Sequence, residues 1–394
     1  MPNITRMRFY LTFIAALASY LTVCARPKPA VLYHNAFEAQ KEYPELITAG
    51  TGAKLTTGGL QLTSPGLVRL NKYYSLARRV IRYKIQLGAG TKAVFQSDQG
   101  DFKAFIDMSR KQISIATNPV KQVDASFLTP QHEYLIEVHR DYQVSKLWVK
   151  DLNSGKSAEI IVTMDGTGGC GKGAEGPGFF AGLQHDYYCF GLTEGSGMLV
   201  KQITVSSKDS KVKLLIYGDS ITEPEGYYPT GDFSRSWTQL VIARLKGQAV
   251  SSGRGGCTIH EVRTRIANEL PYLKTKYVMV TIGTNGGNTE ENLSELVDYI
   301  LSQGAVPILN NIPANESGTQ IGVNAVIEKV RQKYRLHGCH FDKATSIDKD
   351  GRTVDKNTMY FEDYDWGKIY HHPNKLGAQR MYQQTLIDVP EIYR

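Results

Sequence analysis

Beyond its first 25 residues the sequence has no apolar run long enough to cross a bilayer. It holds only five cysteines in 394 residues, and none has metal-ligand spacing. No internal repeat is present, which excludes solenoid and propeller arrays. Between residues 36 and 206 there is no long stretch of helical period, so the first half is not a helical bundle. The net charge is +8, yet a basic stripe is also missing. Arg69, Lys72, Arg78, Arg79, Arg82 and Lys84 are interleaved with apolar residues at near-strand spacing. They read as the solvated face of a sheet, and nucleic acid is not an expected partner. Hydrophobic content of 41% and charged content of 21% exclude global disorder, and the length suits two domains.

What is present begins with a leader. Arg6 and Arg8 precede an apolar stretch from Phe9 to Val23, the pattern of a secretory signal. Small residues at Val23-Cys24-Ala25 suit a cleavage site. Residues 1–25 are therefore expected to be a signal peptide, and the mature chain to be secreted or periplasmic. Lipid attachment at Cys24 is a second reading, disfavoured by Val23 before it; an uncleaved membrane anchor is a third. Export makes disulfides possible. Cys170 and Cys189 flank a glycine-rich loop and could staple it; buried thiols at Cys170, Cys189, Cys257 and Cys339 fit equally.

The chain then divides by texture. From 26 to 206 short apolar runs alternate with turn residues: Val94-Phe95, Phe102 to Met108, Glu133 to His139, Lys146 to Lys150 and Glu159 to Met164. Asn153-Ser154-Gly155-Lys156 is a hairpin loop between the last two. The expected fold is an antiparallel β-sandwich, and its strand rhythm resembles concanavalin-like (laminin-G-like) jelly-roll domains. After a boundary near Ser206 to Ser210, the segment 211–394 alternates strands with helices. Leu214 to Tyr217, Val278 to Ile282 and Ala305 to Leu309 read as buried strands. Trp237, Leu240, Val241 and Leu245 recur at helical spacing, as do Val323, Val326, Ile327, Val330 and Tyr334. Thr289 is a candidate N-cap, and a last helix begins near Asn374. This alternation predicts an α/β domain with a parallel sheet between helices.

Four blocks carry chemistry. Leu214-Leu-Ile-Tyr-Gly-Asp-Ser220 ends a buried strand in a hydroxyl that serves as a nucleophile or as a helix N-cap. Ser252-Gly253-Arg254-Gly255-Gly256-Cys257-Thr258 follows a second strand, either as a backbone cradle for a ligand or as a plain turn. Gly283-Thr284-Asn285 ends a third strand with an amide donor, or opens an Asn-Gly turn. His371-His372-Pro373-Asn374 places a candidate general base before the last helix. A metal at the tandem histidines lacks a carboxylate or cysteine at ligand spacing, so none is expected.

In this order the four blocks resemble the SGNH (GDSL-like) hydrolases, over about residues 211 to 390. The resemblance implies a three-layer α/β/α domain and serine esterase activity without a cofactor. It implies Ser220 as nucleophile and His372 as base. Gly256 (with Gly253 as second choice) and Asn285 join the Ser220 N–H in the oxyanion hole. The family usually carries an aspartate three residues before the histidine, and here that position is Ile369. Asp365 or Asp363 could reach the ring from upstream, a backbone carbonyl could orient it, or the site could be inactive. Asp219 and Arg254 are candidate substrate contacts, Arg254 equally a structural ion pair. Tyr227, Tyr228, Trp237 and Trp366 flank the blocks and could stack on sugar rings or belong to the core. Gly166 to Gly173 nearly spells a P-loop, but it ends in glycine where Ser or Thr must hold magnesium. An exported esterase with a jelly-roll companion resembles enzymes that deacetylate polysaccharides, so the expected substrate is a carbohydrate O-acetyl or short-acyl ester. The alternatives are a lipid or thioester hydrolase, and a glycan-binding protein with an impaired hydrolase domain.

Overall fold

The structure is a computed structural model. It describes residues 29–38, 41–48, 52–75, 77–98, 102–117, 120–141, 144–163, 187–209, 211–223, 233–359 and 370–394. The expected signal segment, the P-loop-like glycines, Cys170, Tyr227, Tyr228, Asp363, Asp365 and Trp366 lie outside the described residues.

Up to Ser207 the described chain forms two antiparallel sheets, one of eight strands and one of seven. The strand Arg79–Leu87 shows why they face each other. Ile81, Tyr83, Ile85 and Leu87 are buried at every second position, while Arg82, Lys84 and Gln86 point the other way. Tyr83 packs against Phe95 and Phe190 of the opposite sheet, at centroid distances of 4.9 and 5.3 Å. On the outer face Arg82 pairs with Glu137 and Lys84 with Glu133. Arg79 departs from the expected solvated face, because it is 1% exposed and turned inward. The hairpin at 153–156 joins Val144–Asp151 to Ser157–Thr163, with Gly155 at φ +75°.

From Lys211 the strands become parallel. In order they are β1 (Lys211–Gly218), β2 (Ala249–Gly253), β3 (Lys274–Thr281) and β4 (Val306–Leu309). Their spatial order is β2-β1-β3-β4. Between and after them run α1 (Trp237–Arg244), α2 (Ile259–Glu269), α3 (Glu290–Ser302), α4 (Gln320–Tyr334) and α5 (Lys375–Asp388). Thr289 and Asn374 cap α3 and α5 through their side-chain oxygens. Alternation along β1 sorts the two faces. Leu214 and Ile216 pack with Trp237, Val241 and Met381 of α1 and α5. Leu215 and Tyr217 pack with Ile259, Val262 and Ile266 of α2 and with α3 and α4 beyond. That second layer is continuous with the core of the sandwich, so one apolar cluster runs through both halves. No helix among the described residues is long and apolar enough to cross a membrane.

Candidate active site

The site lies where three adjacent parallel strands end at one level. Gly218 of β1 is in register with Gly253 of β2 on one side and with Thr281 of β3 on the other. Strand order reverses at β1, and the crevice beyond such a switch point is where open α/β sheets bind ligands. Ser220, the 254–258 loop and the 283–287 turn all leave the sheet at this edge.

The nucleophile turn is tightly built. Thr222 and Glu223 donate backbone N–H bonds to the Asp219 carbonyl at 3.1 and 3.0 Å. The Ile221 N–H donates to Asp219 Oδ1 at 3.0 Å. A Cβ on Gly218 would sit 2.4 Å from the Thr281 carbonyl oxygen, and one on Gly253 would sit 2.2 Å from the Glu223 nitrogen. Only glycine lets β1, β2 and the turn approach this closely. Gly253 is thereby accounted for as a packing glycine inside β2. Gly256 lies past the strand end at φ +72°, directly before the Thr258 capping box that starts α2. Asn285 Nδ2 donates to the Cys257 carbonyl at 3.0 Å, which ties the 283–287 turn to the residue next to Gly256. An amide nitrogen carries two hydrogens, so one remains to meet a ligand.

His372 reaches the serine directly. Its Nε2 lies 2.8 Å from Ser220 Oγ, and the two residues are 2% and 6% exposed. The backbone just after the imidazole is fixed at the start of the following helix. Asn374 accepts from the Leu376 and Gly377 N–H groups, and its own N–H donates to the Thr358 carbonyl at 3.0 Å. Burial, and then the adjacent His371 ring at 4.2 Å, push the His372 imidazole well below the usual histidine range. The ring is neutral at ordinary pH and able to accept a proton. Asp219 is displaced the other way. Burial raises its carboxyl to about 7, against the opposing hydrogen bonds from Ile221 and Thr284. Its carboxyl caps the turn from beneath and has no solvent exposure, so its place is structural.

Other expected roles are redistributed. Arg254 is 2% exposed, and its Nη1 lies 2.9 Å from Glu223 Oε1. Of its two readings, the internal ion pair is the one observed. Glu223 also accepts from the Gly255 N–H at 2.5 Å, so the pair clamps the glycine loop onto the nucleophile turn. Trp237 is a core residue and not a sugar platform. It has no exposure, donates to the Ile221 carbonyl at 2.8 Å and packs edge-on against Phe341. Cys339 is a buried free thiol, and Cys189 and Cys257 are also buried. Sequence reasoning missed Glu223, whose only signal was a carboxylate three residues after Ser220. It also missed Glu269 and Arg265 on α2. Arg265 Nη2 donates to the Gly218 carbonyl at 3.2 Å, just behind the nucleophile.

A neutral imidazole on a serine hydroxyl, with amide donors on neighbouring strand ends, is an arrangement for acyl transfer. Residues 216–380 match the model of the GDSL-like lipase/acylhydrolase family. Among solved structures the chain is similar to a GDSL-like lipase from Bacteroides thetaiotaomicron, at 17% identity over 44% of this chain and 85% of that one, TM-score 0.34. A variant of an acetyl xylan esterase from Geobacillus stearothermophilus matches at 19% identity over 46% of this chain and 94% of that one, TM-score 0.35. The exoplasmic/lumenal domain of VIP36 matches at 9% identity over 45% and 90% of the two chains, TM-score 0.33. No curated protein matches the chain.

Proposed function

We propose that this chain, whose residues 216–380 match the model of the GDSL-like lipase/acylhydrolase family, is an exported serine esterase that removes O-acetyl or other short acyl groups from carbohydrate. The observation that carries the reading is the 2.8 Å contact between Ser220 Oγ and His372 Nε2 at the carboxyl edge of a parallel sheet. His372 takes the hydroxyl proton as Ser220 Oγ attacks the ester carbonyl. The oxyanion that forms accepts from the Ser220 N–H, the Gly256 N–H and the second hydrogen of Asn285 Nδ2. His372 returns the proton to the departing sugar hydroxyl, leaving an acyl-serine. Water then attacks that ester with His372 again as base, and the acid is released.

Ser220 itself stays 6% exposed at the sheet edge, whereas Asp219, Thr222, Glu223, Ser251, Ser252 and Arg254 are buried around the turn and hold it in place, so the carbohydrate reading rests on the pairing of this domain with a β-sandwich. The leader-like segment at 1–25 supports export. The test compares acetate release from O-acetylated glycans with hydrolysis of long-chain acyl esters and acyl thioesters, in wild type and Ser220→Ala. Ser220-dependent release from the glycans is expected. Faster turnover of the long-chain esters or the thioesters would overturn the carbohydrate assignment.

A further inference from the structure

A buried polar node joins the sandwich to the strand that carries the nucleophile. Its centre is Glu269, the last residue of α2, whose side chain has no solvent exposure. From the sandwich side, Arg79 Nε donates to Glu269 Oε1 at 3.2 Å, and Arg79 Nη2 lies 3.0 Å from Oε2. The Ser75 N–H donates to Oε1 at 2.5 Å and the Ser75 hydroxyl to Oε2 at 2.8 Å. From the catalytic side, the Tyr217 hydroxyl donates to Oε2 at 2.6 Å. Ser252 of β2 bonds the Ser75 hydroxyl at 2.5 Å. Tyr217 stands three residues before Ser220 on β1, and Arg265, one turn before Glu269, holds the Gly218 carbonyl between them. Arg79 is steadied in turn by the Ser207 hydroxyl and the Ala77 carbonyl, both within the sandwich.

We propose that Glu269 is a positioning residue for the Ser220 turn, and that the sandwich, through Ser75 and Arg79, is an obligatory part of the catalytic unit. Two independent observations carry this. The node is buried and multiply bonded, and a lone carboxylate in its place would be a buried, unpaired charge. The apolar cluster is also continuous across the same junction, so the two halves share one core there. Without the sandwich, Glu269 loses four of its five contacts and Tyr217 is left against an unpaired carboxylate. A shift there passes along an extended strand into Ser220, and misplacement by about 1 Å can cost about 10²-fold in rate.

Only the kinetic arm of the test rests on the esterase reading. In the full chain, Tyr217→Phe removes one hydroxyl from the node and keeps the packing. Glu269→Gln removes the charge, and Ser75→Ala removes a sandwich contact. Hydrogen exchange of the 218–222 amides is measured in each. The proposal expects exchange there to rise by about tenfold or more in Tyr217→Phe and Ser75→Ala, while the central sandwich strands stay protected. On a short-chain aryl ester kcat should fall about tenfold with KM unchanged, since the turn moves and the binding surface does not. Unchanged exchange at 218–222 in both folded variants would overturn the proposal, whether or not any ester is hydrolysed. If Glu269→Gln fails to fold, the two milder variants still decide. If wild type hydrolyses no ester, the esterase reading falls and the exchange data alone judge the node.

Discussion

Replacing Asn285 separates its two hydrogen bonds by their consequences. One N–H of its side chain is committed to the Cys257 carbonyl at 3.0 Å; the other is the proposed oxyanion donor. Asn285 is exposed, so truncation leaves no cavity. Loss of the Cys257 bond should cost about 1 kcal/mol of stability. Loss of the oxyanion donor should cost about 10²–10³ in kcat, about 2.7–4 kcal/mol of transition-state stabilisation. KM should stay near the wild-type value, because the ground-state carbonyl draws little on this donor. Asn285→Asp should be worse than Asn285→Ala, since it sets a carboxylate against both the oxyanion and the Cys257 carbonyl. The assay is initial-rate kinetics on a short-chain aryl acetate, with urea midpoints recorded on the same preparations. A folded Asn285→Ala enzyme within about threefold of wild-type kcat would refute the oxyanion assignment.

Three further outcomes follow from buried groups. Since burial keeps the His372 imidazole well below 6.5, the base stays neutral through pH 6.5, and the acid limb of kcat/KM should lie below that pH; a limb centred at or above pH 7 would contradict this. Asp219 ionises at about 7 in the folded chain against a normal 3.8, so its contribution to stability is fully present below about pH 3.8 and lost as pH rises through 7. Asp219→Asn should therefore gain on wild type as pH rises, by about 4 kcal/mol at most, and parallel stability curves in urea from pH 5 to 8 would count against it. Arg254→Met strands the buried Glu223 carboxyl and should lose about 3–5 kcal/mol, whereas Arg254→Met with Glu223→Leu should recover much of that; equal losses in the single and double variants would deny the clamp.

Local signals in the sequence were legible, and distant pairings were not. The Asn153–Lys156 hairpin, the Thr289 cap, the helix start near Asn374 and the Gly-Asp-Ser turn each depend on a few consecutive residues. Their chemistry is therefore written at one place in the chain. Arg79 shows the opposite case. Its alternating neighbours give it the pattern of a solvated strand face, but its partner Glu269 lies 190 positions away and only the packed junction brings them together. Helix α2 was obscure for the same reason. Arg265 and Glu269 occupy inward positions with Ile259, Val262 and Ile266, so charge interrupts the apolar face that would mark it. Trp237 looked available to a sugar because nothing local reveals that Phe341 covers it.

Covalent trapping of the acyl-enzyme tests the central claim most directly. Wild type and Ser220→Ala are mixed with an aryl acetate, quenched in acid and digested, and the peptides are examined by mass spectrometry. The account predicts one acetyl group on the peptide containing Ser220 in wild type, and none on that peptide in the variant. Hydrolysis that persists in Ser220→Ala, or an acetyl group that accumulates on another residue during turnover, would contradict it.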